Sequence, residues 1–147
     1  MNLFGVLDIS SSALQAERQR AEVSTSNLAN AETTHTQQGG PYRRQLVVFG
    51  PAKVNTGSFA SALNSVNDLH TRGVRVERVV TDKADPVRRY EPGHPDADSQ
   101  GYVSYPAINP VEEMANLMSA ARSYQLNVSA IQTTKAMIQQ TLQILQS

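Results

Sequence analysis

Proline and glycine, the residues least compatible with a helix interior, are confined to the middle of this 147-residue chain. All seven prolines and seven of the eight glycines fall between Gly39 and Pro110, and residues 6–38 and 111–147 contain neither. Two uninterrupted ends around a heavily punctuated centre predict two long helices with strands and turns between them. The fold class expected is α+β, mainly α: long N- and C-terminal helices packed as an antiparallel coiled coil, with a small inserted β-hairpin region. The corresponding segments are 1–38, 39–108 and 109–147.

The last segment carries the strongest helix signal. In "NPVEE", Asn109 is suited to the N-cap and Pro110 to the first helical position, where no N–H is required. Glu112 is placed to close a capping box, and Glu113 lies near the positive end of the helix dipole. Alternate steps of three and four residues then read Met114, Leu117, Ala121, Tyr124, Val128, Ile131, Lys135, Ile138, Leu142 and Leu145, all apolar except Lys135. An apolar repeat sustained over more than four heptads predicts an assembly seam of the coiled-coil kind. A helix of this length would run roughly 55 Å, longer than a small domain is wide, so part of it is expected to pack on something outside its own body. After Glu113 the only charged residues are Arg122 and Lys135, amid Gln, Ser, Thr, Asn and Ala. Such a surface meets neighbours without stranding buried charge.

The first segment repeats the pattern with Leu7, Leu14, Ala21 and Leu28 spaced by seven, and Ser10, Glu17, Ser24 and Ala31 in the companion row. In "SSSALQ", Ser12 and Gln15 have capping-box spacing and suggest a helix start. Antiparallel pairing that sets Glu17 opposite Lys135 also brings Leu28 near Tyr124 and Leu14 near Ile138. The expectation is that Glu17 and Lys135 form a register pair, since a lone polar residue in an apolar seam often selects register. Between the helices, "RRQLVVF" and "GVRVERVVTD" are short, Val-rich and bounded by Gly and Pro, and read as strands. "SFASALNSVNDLH", residues 58–70, reads equally well as a short helix or a loop.

Few chemistries survive the composition. Thirteen basic residues balance thirteen acidic ones, so no global field draws in nucleic acid or an anionic membrane, although residues 41–90 are basic with nine cations against four acids. With no cysteine, disulfides, thiolate metal sites and thiol nucleophiles are excluded. The N-terminus lacks the charged start and apolar run of a secretory signal, and no stretch approaches the eighteen apolar residues that span a bilayer, so membrane insertion is not expected. No cofactor is implied, because no phosphate loop, dinucleotide fingerprint or nucleophile elbow occurs. The richest cluster is "YEPGHPDADSQGYV", with Glu91, His94, Asp96 and Asp98 close together. Pro92, Gly93 and Pro95 interrupt it, and its spacing matches neither a helical zinc pair nor a calcium loop. A polar turn capped by Asp96 and Asp98 is the expectation, with a metal-dependent hydrolase using His94, Asp96 and Asp98 as the competing reading.

Four stretches together resemble a known family: "STSNLANAETT" (Ser24 to Thr34), "GGPYRRQLVVF" (Gly39 to Phe49), the His94 stretch, and "NPVEEMANLMSAARSYQLNV" (Asn109 to Val128). They are similar to the flagellar rod and hook axial proteins, and most of all to the proximal-rod members. The resemblance covers nearly the whole chain, except residues 51–72 and Ala107, where an asparagine would be usual. It implies a non-enzymatic structural subunit that assembles helically with itself and with other rod proteins, transmits torque and lines the export channel. It further implies partners in a rod-to-membrane-ring adaptor and the flagellar type III export apparatus, export without a cleaved signal, and a place in the basal body. The alternatives kept open beside it are another flagellar axial protein and a cytoplasmic coiled-coil adaptor.

Overall fold

The computed structural model describes the backbone of residues 3–52 and 73–146, with side chains through Ile144. The segment expected to be a short helix or loop at 58–70, and the side chain of Leu145, lie outside the described residues. In chain order the elements are α1 (Leu3–Ala29), β1 (Gln45–Pro51), β2 (Val74–Thr81), β3 (Val87–Tyr90), β4 (Tyr102–Tyr105) and α2 (Pro110–Gln146). The strands form two two-stranded sheets, β1 with β2 and β3 with β4. The architecture is α+β and mainly α, as the distribution of proline and glycine requires.

By contacts the chain divides into two compact units, one drawing on Met1–Gln19, Phe49–Glu77 and Ala120–Ser147, the other on Arg20–Val48 and Arg78–Ser119. In the first unit the buried positions are small or self-satisfied: Ser10, Ala16, Ala120 and Thr134. Small side chains let backbones approach closely, and the Thr134 hydroxyl donates to the Ala130 carbonyl at 2.8 Å, so its burial strands no donor. Ser12 is not at a helix start. Because α1 begins at Leu3, Ser12 lies well inside it and turns its hydroxyl to other uses: it donates to the Ile9 carbonyl at 2.7 Å and accepts the Val74 N–H at 3.1 Å, capping the first residue of β2. Gly73 precedes that contact. A β-carbon there would stand 2.1 Å from the Ser12 hydroxyl oxygen, so only glycine fits beside the serine.

In the second unit, α1 ends in turns. Asn30 donates to the Ser26 carbonyl at 2.9 Å, and Thr33 N–H to the Asn30 carbonyl at 3.1 Å. The loop that follows folds back at Gly39 and Gly40, whose φ values of 85° and 72° favour glycine, and Tyr42 N–H bonds the Thr33 carbonyl at 3.0 Å. β3 and β4 pair antiparallel with Val87 opposite Tyr105 and Tyr90 opposite Tyr102. Alternation then puts Val87, Arg89, Val103 and Tyr105 on one face and Arg88, Tyr90, Tyr102 and Ser104 on the other. Val103 is fully buried, whereas Tyr90 and Tyr102 are exposed. At the start of α2, the Asn109 side chain accepts the Val111 N–H at 3.0 Å, so the expected N-cap is in place. Glu112 does not close the capping box, since its carboxylate goes to Arg44 instead.

Candidate functional site

Among the described residues, the large polar side chains buried together lie where α1 ends, β1 begins and α2 starts. Asn27, in the last turns of α1, is 1% exposed, and Glu113, in the first turn of α2, is 2% exposed. Asparagine inside a helix is poor unless its amide is engaged, because it competes with the backbone for hydrogen bonds. Here the amide is fully used. Its Nδ2 donates to the Gln45 carbonyl at 2.8 Å and to Glu113 Oε2 at 3.1 Å, while its Oδ1 accepts the Gln45 N–H at 2.8 Å and the Tyr42 hydroxyl at 3.2 Å. To Gln45 the side chain thus acts as one more β-strand, taking both backbone groups that point away from β2. The neighbouring residue faces the other way, with the Arg44 carbonyl accepting the Asp82 N–H at 2.7 Å.

Glu113 is a buried charge with a full set of partners. Arg44 reaches its Oε1 through Nε at 2.8 Å and Nη2 at 2.5 Å, and the same Nη2 lies 2.8 Å from Glu112. A carboxylate taken out of water is costly unless paired and hydrogen-bonded on both oxygens, and Asn27 and Arg44 do that. Burial acts against the Arg44 charge, but the hydrogen bonds to Glu112 and then Glu113 outweigh it and hold the guanidinium above its ordinary range. Residues separated by 86 positions are joined in this way.

The expected assembly residues distribute differently. On α2 the row turned inward runs through Glu113, Leu117, Ala120, Asn127, Ile131, Thr134 and Ile138. Of the expected seam, Leu117, Val128, Ile131 and Ile138 are half-buried, while Met114, Tyr124 and Leu142 are 51%, 42% and 52% exposed. The inward row is displaced because Glu113 and Thr134 bring their own partners and Ala120 admits close approach, so apolarity alone does not choose the face. On α1, Leu7, Leu14 and Leu28 are half-buried. Lys135 is exposed. Near the end of α1 and the start of α2, the two helices are joined by the Asn27–Glu113 hydrogen bond.

The His94 stretch is a turn between β3 and β4. Asp98 Oδ1 accepts the Gln100 and Tyr102 N–H groups, each at 2.9 Å, and its Oδ2 meets Arg88 at 2.5 Å. The Tyr102 bond is the largest influence and lowers this carboxyl; desolvation opposes it, and the Gln100 bond and Arg88 add to the lowering, so that the group lies below the usual range. Asp96 does not cap in the same way: its carboxylate accepts the Thr34 hydroxyl at 2.7 Å, and its N–H donates to His94 Nδ1 at 3.1 Å. Asp96 and Asp98 are therefore committed in different directions, and among the described residues no three metal-ligating side chains converge. Tyr105 donates to Glu91 at 2.8 Å, a bond that raises its phenol above the ordinary range, with desolvation adding to it.

Sequence reasoning passed over Asn27, Arg44 and Glu113 as a group. One signal was available: an asparagine three residues after Ser24, on the inward side of a helix, invites the question of what its amide binds.

Comparison with known proteins bears directly on these elements. Residues 7–34 match the family model described as "Flagella basal body rod protein", and residues 99–144 match "Flagellar basal body rod FlgEFG protein C-terminal". The chain is 43% identical to the flagellar basal-body rod protein FlgC of Escherichia coli O6:H1, covering 97% of each. It is 40% identical to that of Bacillus subtilis and 38% identical to that of Borreliella burgdorferi, covering 98% or more of each chain. The chain belongs to the FlgC family of flagellar basal-body rod proteins. The clamp takes Asn27 from the first matched segment and Glu113 from the second, so it ties together the two parts by which the family is recognised. No described helix of this family member is long and apolar enough to cross a membrane.

Proposed function

We propose that this subunit of the flagellar basal-body rod is a proximal-rod component that transmits torque and helps to line the export channel. The finer partners in this reading are a rod-to-membrane-ring adaptor and the type III export apparatus. Supporting it is the row of expected seam residues left open on α2. Met114, Tyr124 and Leu142 present apolar surface, and after Glu113 that helix carries only two charges. Exposed apolar side chains on a helix with so few charges suit burial against neighbouring subunits. The mechanism is heterologous packing, in which one face of a subunit meets a different face of the next and a screw rotation builds a tube. Lys135 then finds its carboxylate, Glu17 or another, on a neighbour.

The test is a pair of variants in which apolar side chains on this row become polar. Met114→Gln and Leu142→Gln should reduce incorporation into isolated basal bodies and swimming, while the purified chain keeps its wild-type circular dichroism. Normal rod assembly in the double variant would overturn the role given to this row.

A further inference from the structure

We propose that Met114, Met118 and Met137 are oxidation sites that control entry of the subunit into the rod: their thioethers are open to peroxide before assembly, and sulfoxide there bars the chain from its place. The proposal rests on the reading of α2 as the helix that meets neighbouring subunits, and adds a chemical control to it. The distribution of sulfur carries it. The chain has no cysteine, and its four methionines are Met1 and these three, so residues 2–113 hold no sulfur at all. All three lie on α2, and they are 51%, 73% and 52% exposed. Val111, also largely exposed, precedes Met114 and Met118 by three and seven residues, which sets these side chains on successive turns of one side of the helix. Ile144, exposed as well, stands seven residues beyond Met137. Methionine is a common core filler, so three outward methionines on one helix are unusual. Its unbranched, polarizable side chain moulds itself to irregular surfaces, which fits contacts that differ from one neighbour to the next.

The step is a two-electron oxygen transfer with hydrogen peroxide as the oxidant. A sulfur lone pair attacks one peroxide oxygen, the S–O bond forms as the O–O bond breaks, and the departing hydroxide takes the proton from the transferred oxygen to give water. Sulfur is oxidised and peroxide oxygen is reduced. The product is polar and chiral where the thioether was apolar and flexible, and Met-rich contacts are disrupted by it. Against an apolar neighbour the new S–O dipole loses its water without gaining a donor, which opposes burial. Sulfoxide reductases reverse the change, so an oxidised subunit can be repaired and used. Once a neighbour covers α2 the sulfurs are shielded, and the assembled rod is spared.

The test induces the full wild-type chain in cells lacking methionine sulfoxide reductases, under a dose of hydrogen peroxide that oxidises methionine in an unstructured reference peptide. Peptide mass spectrometry then compares sulfoxide at the three positions in the unassembled chain and in isolated basal bodies from the same cells. In the unassembled chain all three should be oxidised, Met118 at least as far as the others. In the rods sulfoxide should be lower by about tenfold or more at each. A chain with Met114→Leu, Met118→Leu and Met137→Leu keeps apolar bulk without sulfur and should assemble and swim as wild type. Met118→Gln with Met137→Gln imitates the polarity of the sulfoxide and should lower incorporation by about tenfold or more, with unchanged circular dichroism of the purified chain. Unoxidised methionines in the unassembled chain, equal sulfoxide in the two pools, or full incorporation of the glutamine variant would overturn the proposal. The two readings fail separately. Normal assembly of the Met114→Gln and Leu142→Gln variant would remove the rod-contact reading itself, whereas loss of its assembly together with equal sulfoxide in the two pools would remove the oxidation control alone.

Discussion

The start and the later course of α2 solve the same problem in opposite ways. In its first turn an acidic residue is buried with an arginine and an asparagine bonded to it and a strand backbone beside them, all within one compact unit. From Met114 onward the helix carries exposed apolar side chains, Met118, Tyr124, Leu126, Met137, Leu142 and Ile144, on surfaces with little charge. One region satisfies itself with directional polar contacts, whereas the other leaves nondirectional surface unspent. For a subunit that joins many neighbours, the first fixes which of its own residues meet and the second offers surface to others. Polar clamps tolerate no substitution of partner, while apolar surface accepts any complementary one.

That contrast is breakable. The largest effect is expected from Arg44→Ala, which leaves Glu113 buried and without its cation. Loss of one member of a buried pair costs about 3–5 kcal/mol, so the variant should unfold at much lower urea concentration than wild type, or fail to fold. Wild-type stability would show that the clamp contributes nothing in the free chain. Next, Gly73→Ala drives a methyl group into the Ser12 side chain, and the serine can move only by releasing the Val74 N–H. A cost of about 1–3 kcal/mol follows from the overlap, read as a shift in the thermal midpoint, and Ser12→Gly in the same chain should recover part of it by removing the obstacle.

Smaller still is the pH response of the β3–β4 hairpin. Asp98 has its carboxyl lowered in the folded chain, so its contribution is present above the ordinary carboxylate range and is lost as the pH falls through the folded value. Tyr105 is raised, so its contribution is present below the ordinary phenol range and is lost as the pH rises through the folded value. The hairpin should therefore loosen at both extremes. In Asp98→Asn the acid-side change should disappear while the alkaline one remains, as monitored by the Tyr102 amide resonance. Least affected should be the stability of the isolated Met114→Gln and Leu142→Gln chain, since substitutions at half-exposed positions shift stability by about 0.5 kcal/mol. A much larger loss would mean that these side chains serve the subunit's own fold, and the contrast between the two regions of α2 would dissolve.

Much of the architecture was legible without coordinates, because it follows from local chemistry. The breaker-free stretches at 6–38 and 111–147 admit long helices, and α1 and α2 occupy most of them. Asn109 caps and Pro110 opens α2 for reasons confined to four residues. β1 and β2 lie in the two Val-rich stretches for the same kind of reason. β3 and β4 were harder to see, being four residues each, and their Val, Tyr and Arg become informative only once Arg88 faces Ser104 and Arg89 faces Val103. The family, too, was readable from motifs such as "STSNLANAETT" without knowing what their residues touch.

What only the tertiary structure decided is which of several chemically reasonable partners each polar group takes. Glu112 was equally suited to a capping box and to an ion pair, and Arg44 settled it. Ser12 was equally suited to start a helix and to cap a distant strand, and Gly73 and Val74 settled that. The apolar period along α2 did not specify which side turns inward. That choice rests on Asn27, Glu113 and Ala120, whose close approach and hydrogen bonds depend on residues tens of positions away. Helix formation and hydrophobic spacing are short-range properties written in neighbouring residues. The pairing of a buried charge is a long-range property, and the chain settles it only by folding.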